Sequence, residues 1–254
     1  MTPQPQAGTT GPNRSGGGGP SARRAAVAGS TTHAALDGPV GRAAPDGPGG
    51  HYARAVSHYF SVTPSGPERR REIEVPIRGH RVRLETAAGV FSGDRLDPGT
   101  TVLLDAVEDP PATGTLLDLG CGWGPIAIAM ALASPEARVL AVDVNERALA
   151  LTADNATRLG LTNVETHLPE DLLAAEPDLR LDALWSNPPI RIGKAALHEI
   201  LRTWLPRLTP GARAQLVVQR NLGSDSLQRW IAAELGRDVT RLTSVNGFRV
   251  LTVR

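Results

Sequence analysis

A glycine-rich turn between two apolar segments constrains the fold of this chain more than any other feature. The segment TLLDLGCGWG, residues 115–124, begins with leucines that make a strand apolar on both faces, as in the middle of a parallel sheet. Gly120, Gly122 and Gly124 follow where the backbone turns, and Pro125 suits the first turn of a helix. This pattern predicts a strand, a turn and a buried helix, with a ligand across the turn at the carboxyl ends of the strands.

Two carboxylates near this turn indicate the ligand. The dinucleotide fingerprint needs its third glycine at position 125, where this chain has proline, and Asp118 before the turn suits a cationic group better than a pyrophosphate. Asp143 ends the next predicted strand, where a carboxylate can accept hydrogen bonds from a ribose diol. A ribose at one end and an ammonium at the other describe S-adenosylmethionine (SAM). The alternative is a plain strand–helix connection, which the two carboxylates disfavour.

A second motif, SNPPI, ends the strand predicted at 181–186. Pro188 and Pro189 lack the N–H that a strand ladder needs, and the following proline holds Asn187 extended. We predict a rigid polar corner beside the glycine turn, with the Asn187 side-chain oxygen and the backbone carbonyls left without strand partners as acceptors. Two acceptors can hold a planar amine against the methyl group of SAM and stabilise the positive charge that develops on nitrogen. The alternative is a loop that merely ends a strand.

Three segments in this order and spacing, DLGCGWGPI, AVDVNERAL and SNPPIRIGK, resemble the class I SAM-dependent methyltransferases. Together with the upstream GVFSGDRLDPGT, they are similar to the small-subunit ribosomal RNA guanine-N2 methyltransferases and their single-domain relatives, over residues 52–254. The resemblance implies methyl transfer from SAM to an exocyclic amine, with guanine N2 in ribosomal RNA as the expected target. Methylation of a protein glutamine or of an adenine amine uses the same corner, and an inactive RNA-binding scaffold is a third alternative.

The residue arguments and the resemblance together name a set of site residues. The expected catalytic residues are Asn187, Pro188 and Pro189. The expected cofactor-binding residues are Asp118, Gly120, Cys121, Gly122, Gly124, Asp143, Val144, Asp171 and Asn187. The expected substrate-binding residues are Phe91, Ser92, Ile190, Arg191, Lys194 and Gln219. Phe91 has a core aromatic as its alternative, and Arg191 and Lys194 have exposed helix charges as theirs. Ile190 stands where such families often carry an aromatic residue that stacks on the target base.

The rest of the chain alternates strand and helix patterns, which predicts an α/β, Rossmann-like class I methyltransferase fold. Its seven-stranded, mainly parallel sheet should end in an antiparallel hairpin joined near Asn246-Gly247. We expect strands at 115–119, 138–142, 163–167, 181–186, 213–219, 238–243 and 247–253, and helices at 101–107, 125–133, 146–159, 194–207 and 225–235. Upstream, residues 72–86 show a small β-hairpin pattern around Arg78-Gly79, and HYARAVSHYF is typical of a short helix.

Composition divides the chain and bounds its partners. Residues 1–50 hold 12 of the 27 glycines and 7 of the 21 prolines. Such a segment has too little apolar surface to form a core, so we predict that it is a disordered tail. An N-terminal helix, hairpin and cofactor-lid extension should cover residues 51–112, and the SAM-dependent methyltransferase domain residues 113–254. The net charge of +1 indicates no strong positive electrostatic field that would attract bare nucleic acid, and it is compatible with RNA in a partly assembled ribosome.

Cysteine, histidine and hydropathy patterns exclude further classes. The single cysteine, Cys121, rules out an internal disulfide and fits a reducing cytosol. His167 and His198 have no partners at metal-ligand spacing, so we expect no metal. No apolar run approaches the length of about 18 residues that a membrane span needs. We therefore expect a cytoplasmic monomer without membrane contact whose partner is RNA, either ribosomal RNA or a ribosomal subunit.

Overall fold

The structure is a computed structural model, and it describes residues 68–254. The predicted tail at 1–50 and the helix predicted in HYARAVSHYF lie outside these residues. The described strands are β1 (Arg70–Ile77), β2 (His80–Ala87), β3 (Thr115–Leu119), β4 (Arg138–Val142), β5 (Val164–His167), β6 (Leu181–Ser186), β7 (Leu208–Gln219), β8 (Val239–Val245) and β9 (Phe248–Val253). The α-helices are α1 (Pro98–Ala106), α2 (Pro125–Ala133), α3 (Glu146–Arg158), α4 (Pro169–Ala175), α5 (Lys194–Trp204) and α6 (Ser224–Leu235).

Strands β3 to β9 form one seven-stranded sheet in the order β5-β4-β3-β6-β7-β9-β8. Only β9 runs against its neighbours, pairing antiparallel with β7 and β8. The order reverses between β3 and β6, so the carboxyl ends of these two central strands meet at the switch point of the sheet. The predicted mainly parallel sheet with an antiparallel C-terminal hairpin is therefore confirmed.

Apolar residues cover both faces of the sheet, as the continuous hydrophobic strands predict. Leu117 and Leu119 face one core, shared with α5 and α6, while Leu116 faces the other core, shared with α2 and α3. Helix α2 is apolar all round because it lies between the sheet and its neighbouring helices, and Ile128 and Met130 are fully buried. The two layers hold the ends of β3 and β6 rigidly in place.

Strands β1 and β2 form the predicted hairpin as a separate two-stranded sheet. Val75 faces Val82, as predicted, and the two-residue turn places Arg78 and Gly79 at φ of 46° and 84°, as a hairpin turn of this length requires. Asn155 of α3, fully buried, joins the hairpin to the glycine turn: its Nδ2 donates to the carbonyls of Glu85 at 2.8 Å and Trp123 at 3.0 Å. The hairpin and the large sheet share one core. The predicted boundary at 112/113 therefore separates two sheets and not two cores.

Four elements of the structure differ from the predictions. Helix α1 begins at Pro98 rather than at residue 101, because the Asp97 side chain caps it and proline suits its first turn. Helix α4 was not predicted, since seven residues are too few to show a helical period. The helix predicted to 207 ends at Trp204 and continues as a 3₁₀ turn containing Pro206. Strand β7 begins at Leu208 rather than at 213.

Candidate cofactor and substrate site

The turn after β3 is open on the side where a ligand would lie. The N–H groups of Gly120 and Cys121 donate to the carbonyl of Val142 at 2.8 and 3.1 Å, which ties the turn to the end of β4. Gly120 and Gly122 have φ of 79° and 59°, a backbone conformation that favours glycine. A Cβ atom on Gly122 would meet no atom within 4 Å, and one on Gly120 only Pro189 Cδ at 3.9 Å. The turn therefore presents bare backbone to open space.

Two other residues of the turn face the core instead. A Cβ atom on Gly124 would lie 2.9 Å from the Thr152 side chain, so this glycine permits close packing against α3. The Cys121 side chain is 4% exposed, with its Sγ 3.6 Å from Thr152 Oγ1, and burial raises the pKa of the thiol well above its usual range. Among the predicted cofactor residues, these two have only their backbones available to a ligand.

Asp143 lies directly after β4, half-buried beside the turn. Its Oδ2 accepts from the N–H of Gly122 at 2.9 Å, and its Oδ1 accepts from the N–H of Asn145 at 2.9 Å. The N–H of Val144 also bonds to this carboxylate, which offers about four acceptor positions in all, so it retains capacity for a further donor such as a ribose hydroxyl. Sequence reasoning missed the backbone bonds, which make Asp143 a support of the turn as well as a candidate ligand contact.

Asp118 is fully buried under the turn. Its Oδ2 accepts from the N–H of Ala127 at 2.9 Å, in the first turn of α2, while its Oδ1 has no partner among the described residues. Burial, and secondarily the charge of Asp143, raises the pKa of Asp118 to about 8. The unpartnered Oδ1 is the acceptor that the predicted ammonium contact would use. The bond to α2 is a second role that the sequence did not reveal.

The buried carboxyl of Asp118 leads to a testable pH dependence. The pKa is raised above its unfolded value near 3.8, so between about pH 4 and pH 8 the folded state binds one more proton, and stability falls as pH rises. Asp118→Asn removes this titration. Raising the pH from 6 to 7 should therefore lower the unfolding free energy of the parent by about 1.4 kcal/mol relative to the variant. Urea denaturation at both pH values measures the difference, and a difference that stays constant would contradict the buried-acid argument.

The corner after β6 lies against the glycine turn. Ser186 Oγ donates to the Leu119 carbonyl at 2.6 Å, joining the ends of β6 and β3. The half-buried Asn187 follows, and its Nδ2 donates to Asp97 Oδ1 at 2.8 Å and to Thr100 Oγ1 at 3.1 Å. Its Oδ1 accepts no bond from the residues that the structure describes. This oxygen is thus left available as an acceptor.

The backbone carbonyls of the corner accept hydrogen bonds within a tight turn. Pro188 O accepts from the N–H of Ile190 at 2.8 Å, and Pro189 O accepts from the N–H of Ile192 at 3.2 Å, because the chain enters a 3₁₀ turn at once. Neither carbonyl has a strand partner among the described residues, but each accepts one bond within this turn and keeps one lone pair. The Asn187 side chain is the stronger acceptor of the corner.

The loop before α1 borders the same edge of the sheet. Phe91 is 64% exposed, so the alternative of a core aromatic is wrong. Ser92 has φ of 51°, and its Oγ donates to the Arg95 carbonyl at 2.7 Å, which shapes the loop. Asn145 Nδ2 donates to the Gly89 carbonyl at 3.0 Å, so the loop is held beside the end of β4. This placement suits the predicted lid over the cofactor.

The remaining predicted residues lie around the cleft. Val144 is half-buried against the core, and Asp171 is exposed in the first turn of α4, where the helix dipole favours a negative charge. Ile190 packs partly on the core, whereas the side chains of Arg191 and Lys194 are exposed. Gln219 ends β7, paired with Phe248, at the same edge of the sheet. The fold brings all of these near the carboxyl ends of the parallel strands.

The family model of the methyltransferase small domain matches residues 81–252. The chain belongs to this family. The matched range includes nearly all of the hairpin strand β2, the glycine turn and the NPPI corner. It confirms the predicted SAM-dependent methyltransferase class.

Similar proteins differ in how much of their own length this chain covers. The uncharacterized protein YbxB of Bacillus subtilis is 29% identical over 197 residues, which are 78% of this chain and 98% of that protein. A ribosomal RNA small subunit methyltransferase C of Pectobacterium atrosepticum is 34% identical over 140 residues, 54% of this chain. The chain matches only 39% of that relative's length.

A solved structure shares the fold. The 16S rRNA N2 G1207 methyltransferase of T. thermophilus, solved in complex with AdoMet and guanosine, aligns with a TM-score of 0.63 at 23% identity. The alignment covers 75% of this chain and 52% of that one. At this identity the likeness establishes the fold, and the predicted Rossmann-like methyltransferase fold is confirmed.

The residues present fit SAM as the cofactor. The open space over Gly120 and Gly122 admits a ligand, and the turn contributes no cationic side chain that would repel a sulfonium or an ammonium. Hydrogen-bond acceptors for the two ends of SAM are the unpartnered Asp118 Oδ1 and the Asp143 carboxylate. The prediction of SAM as cofactor is confirmed for the family, and the contact of each residue with it stays a prediction. Between residues 68 and 254, no helix combines the length and apolarity that crossing a membrane would take.

Proposed function

We propose that this chain transfers the methyl group of SAM to an exocyclic amine, and that the amine is guanine N2 in ribosomal RNA. The observation that carries the proposal is the Asn187 amide. Both of its N–H groups point to fixed acceptors, Asp97 and Thr100, so its oxygen is the group left to accept from a substrate. It lies at the corner that Ser186 joins to the glycine turn.

The amine chemistry follows from this acceptor. When bound, SAM supplies an electrophilic methyl group on a sulfonium. An exocyclic amine is a poor nucleophile because its lone pair is delocalised into the ring. Asn187 Oδ1, together with the second lone pair of the Pro188 carbonyl, would accept its two N–H groups, hold the nitrogen in line and stabilise the positive charge that develops there. The extra proton can leave to solvent after transfer, so no base with an unusual pKa is required.

The cofactor would lie across the turn. Asp143 would accept from the ribose hydroxyls, Asp118 Oδ1 from the ammonium, and the backbone at Gly120 and Gly122 would line the methionine portion. Val144 and Asp171, farther along the edge, would contact the adenine. The half-buried position of Asp143 strengthens its bonds because less water competes there.

RNA as the substrate is supported by the charges around the cleft. Four exposed basic side chains at this edge of the sheet have no ion pair with an acid in the described part of the chain: Arg95, Arg191, Lys194 and Arg220. Away from the cleft, most basic residues are paired; Arg138, for example, contacts both Glu165 and Glu176 at 2.7 Å. Unpaired cations at the rim can contact phosphates and position a nucleic acid. The exposed Phe91 could pack on a base.

Transfer of labelled methyl from SAM to separated fractions tests the proposal. The fractions are small-subunit particles, large-subunit particles, transfer RNA and ribosome-free protein, all from a host lacking the gene. We expect label in small-subunit ribosomal RNA, recovered as N2-methylguanosine after digestion to nucleosides. Label confined to protein would instead show glutamine methylation, label as methyladenine would show the adenine alternative, and binding without label in any fraction would show a scaffold.

A further inference from the structure

We propose that Asp97 is a positioning residue for methyl transfer: it fixes the orientation of the Asn187 amide so that Oδ1 faces the substrate. The inference rests on the proposed role of Asn187. It comes from a contact between two segments 90 residues apart in the chain, Asp97 Oδ1 with Asn187 Nδ2 at 2.8 Å. Neither the strand that precedes Asn187 nor the prolines that follow it determine this orientation.

Asp97 and Thr100 together occupy both hydrogens of the amide. Thr100 is 4% exposed, and its Oγ1 lies 3.1 Å from Asn187 Nδ2. Asp97 Oδ1 also accepts from the N–H groups of Gly99 at 2.8 Å and Thr100 at 3.1 Å, so this oxygen is itself held in place. Asp97 and Thr100 thus form a clamp on the amide, and this clamp is a rigid part of the N-terminus of α1.

The chemistry of the clamp determines which way the amide points. A carboxylate only accepts hydrogen bonds, so the nitrogen of Asn187 must face Asp97 and the oxygen must face away. A threonine hydroxyl can donate or accept, so Thr100 alone would allow the amide to rotate by half a turn. The rotated amide would present N–H groups to the N–H groups of the substrate amine. Asp97 therefore selects the productive orientation.

Gly99 packs closely against the same Asp97 oxygen. A Cβ atom on Gly99 would lie 2.9 Å from Asp97 Oδ1 and 2.9 Å from Phe248 Cε1, so a side chain there would disturb the clamp. Asp97 is also the N-cap of α1, which alone could explain an aspartate at this position. The test must separate capping from positioning.

Asp97→Ser makes this separation. Serine is a good N-cap residue, but its shorter side chain does not reach Asn187. With small-subunit particles as substrate, the single-turnover rate should fall about 10-fold, on the order of one lost charge-assisted hydrogen bond. SAM affinity should stay near the parental value. The thermal midpoint should fall somewhat, because an Asn187 N–H loses its acceptor, and it is measured alongside the rate. The matched control is Asp105→Ser, the same substitution at an exposed position of the same helix, which should keep the parental rate.

The double variant decides how Asp97 acts. In an Asn187→Ala background, Asp97→Ser should cause no further loss, because the residue acts through Asn187. An equal 10-fold loss in both backgrounds, or an unchanged rate in Asp97→Ser alone, would overturn the inference. If Asn187→Ala itself keeps the parental rate, the proposed function fails instead.

A spectroscopic measurement tests the contact without any substrate. The side-chain NH₂ resonances of Asn187 are identified by their loss in Asn187→Ala. In Asp97→Ser they should move upfield, since a charged acceptor is removed, whereas in Asp105→Ser they should not move. Resonances that are unmoved in Asp97→Ser would overturn the inference whatever the rate.

Discussion

Replacing Asn187 with alanine is expected to lower the single-turnover rate of methyl transfer by about 10²–10³-fold, as the removal of a preorganised transition-state partner does. The oxygen lost is the acceptor that the structure leaves available beside the turn, while Asp97 and Thr100 hold the nitrogen. SAM affinity should change much less, because in the proposed arrangement Asp118, Asp143 and the turn hold the cofactor. The measurement is single-turnover transfer alongside direct SAM binding.

Two further observations make this result interpretable. Asn187→Ala removes the amide that donates to Asp97 and Thr100, which can cost about 1–3 kcal/mol of stability. The thermal midpoint must therefore be measured with the rate. Asn187→Asp keeps an acceptor but adds a charge and removes the donor to Asp97, and should be damaging as well. A parental rate in Asn187→Ala would end the amine-methylation assignment, and Asn187 would then be a residue that merely ends a strand.

Replacing Asp143 with alanine is expected to weaken SAM binding by roughly 2–4 kcal/mol, which is about 30- to 1000-fold in Kd. Two ribose hydroxyls would lose a charged acceptor. The N–H groups of Gly122 and Asn145 would lose theirs too, so the turn itself would be less well ordered. Both losses act in the same direction. Isothermal titration calorimetry with SAM measures the change.

Asp105→Ala is the control for this prediction, because Asp105 is exposed near the C-terminal end of α1, at the opposite end of the helix from Asp97. Its SAM affinity should equal that of the parent. Unchanged affinity in Asp143→Ala would remove Asp143 from the cofactor site and leave it only the role of supporting the turn. Together, the Asn187 and Asp143 variants separate transfer from cofactor binding.

Local sequence patterns determined most of the fold. The predicted bounds of β3, β4, β6 and α2 are those of the structure, because mainly apolar runs are local signals, as are the glycine and proline residues near most of their ends. The nearness of the glycine turn and the Asn187 corner also followed from sequence, since parallel strands bring their carboxyl ends to one edge. The short helix α4 and the early start of α1 escaped because seven residues or one capping aspartate show no period.

Only the tertiary structure decided what each site residue contacts. The sequence placed Gly124 among the residues that contact a ligand, but a Cβ atom there would meet Thr152 on α3. The sequence also assigned Asp118 to a ligand, but one of its oxygens accepts a hydrogen bond from α2. The direction of the Asn187 amide depends on Asp97, which a different loop brings within 2.8 Å. The apolar pattern of a chain specifies which elements form and which faces they bury. The partner of a polar side chain depends on atoms from distant segments, and packing alone brings these together.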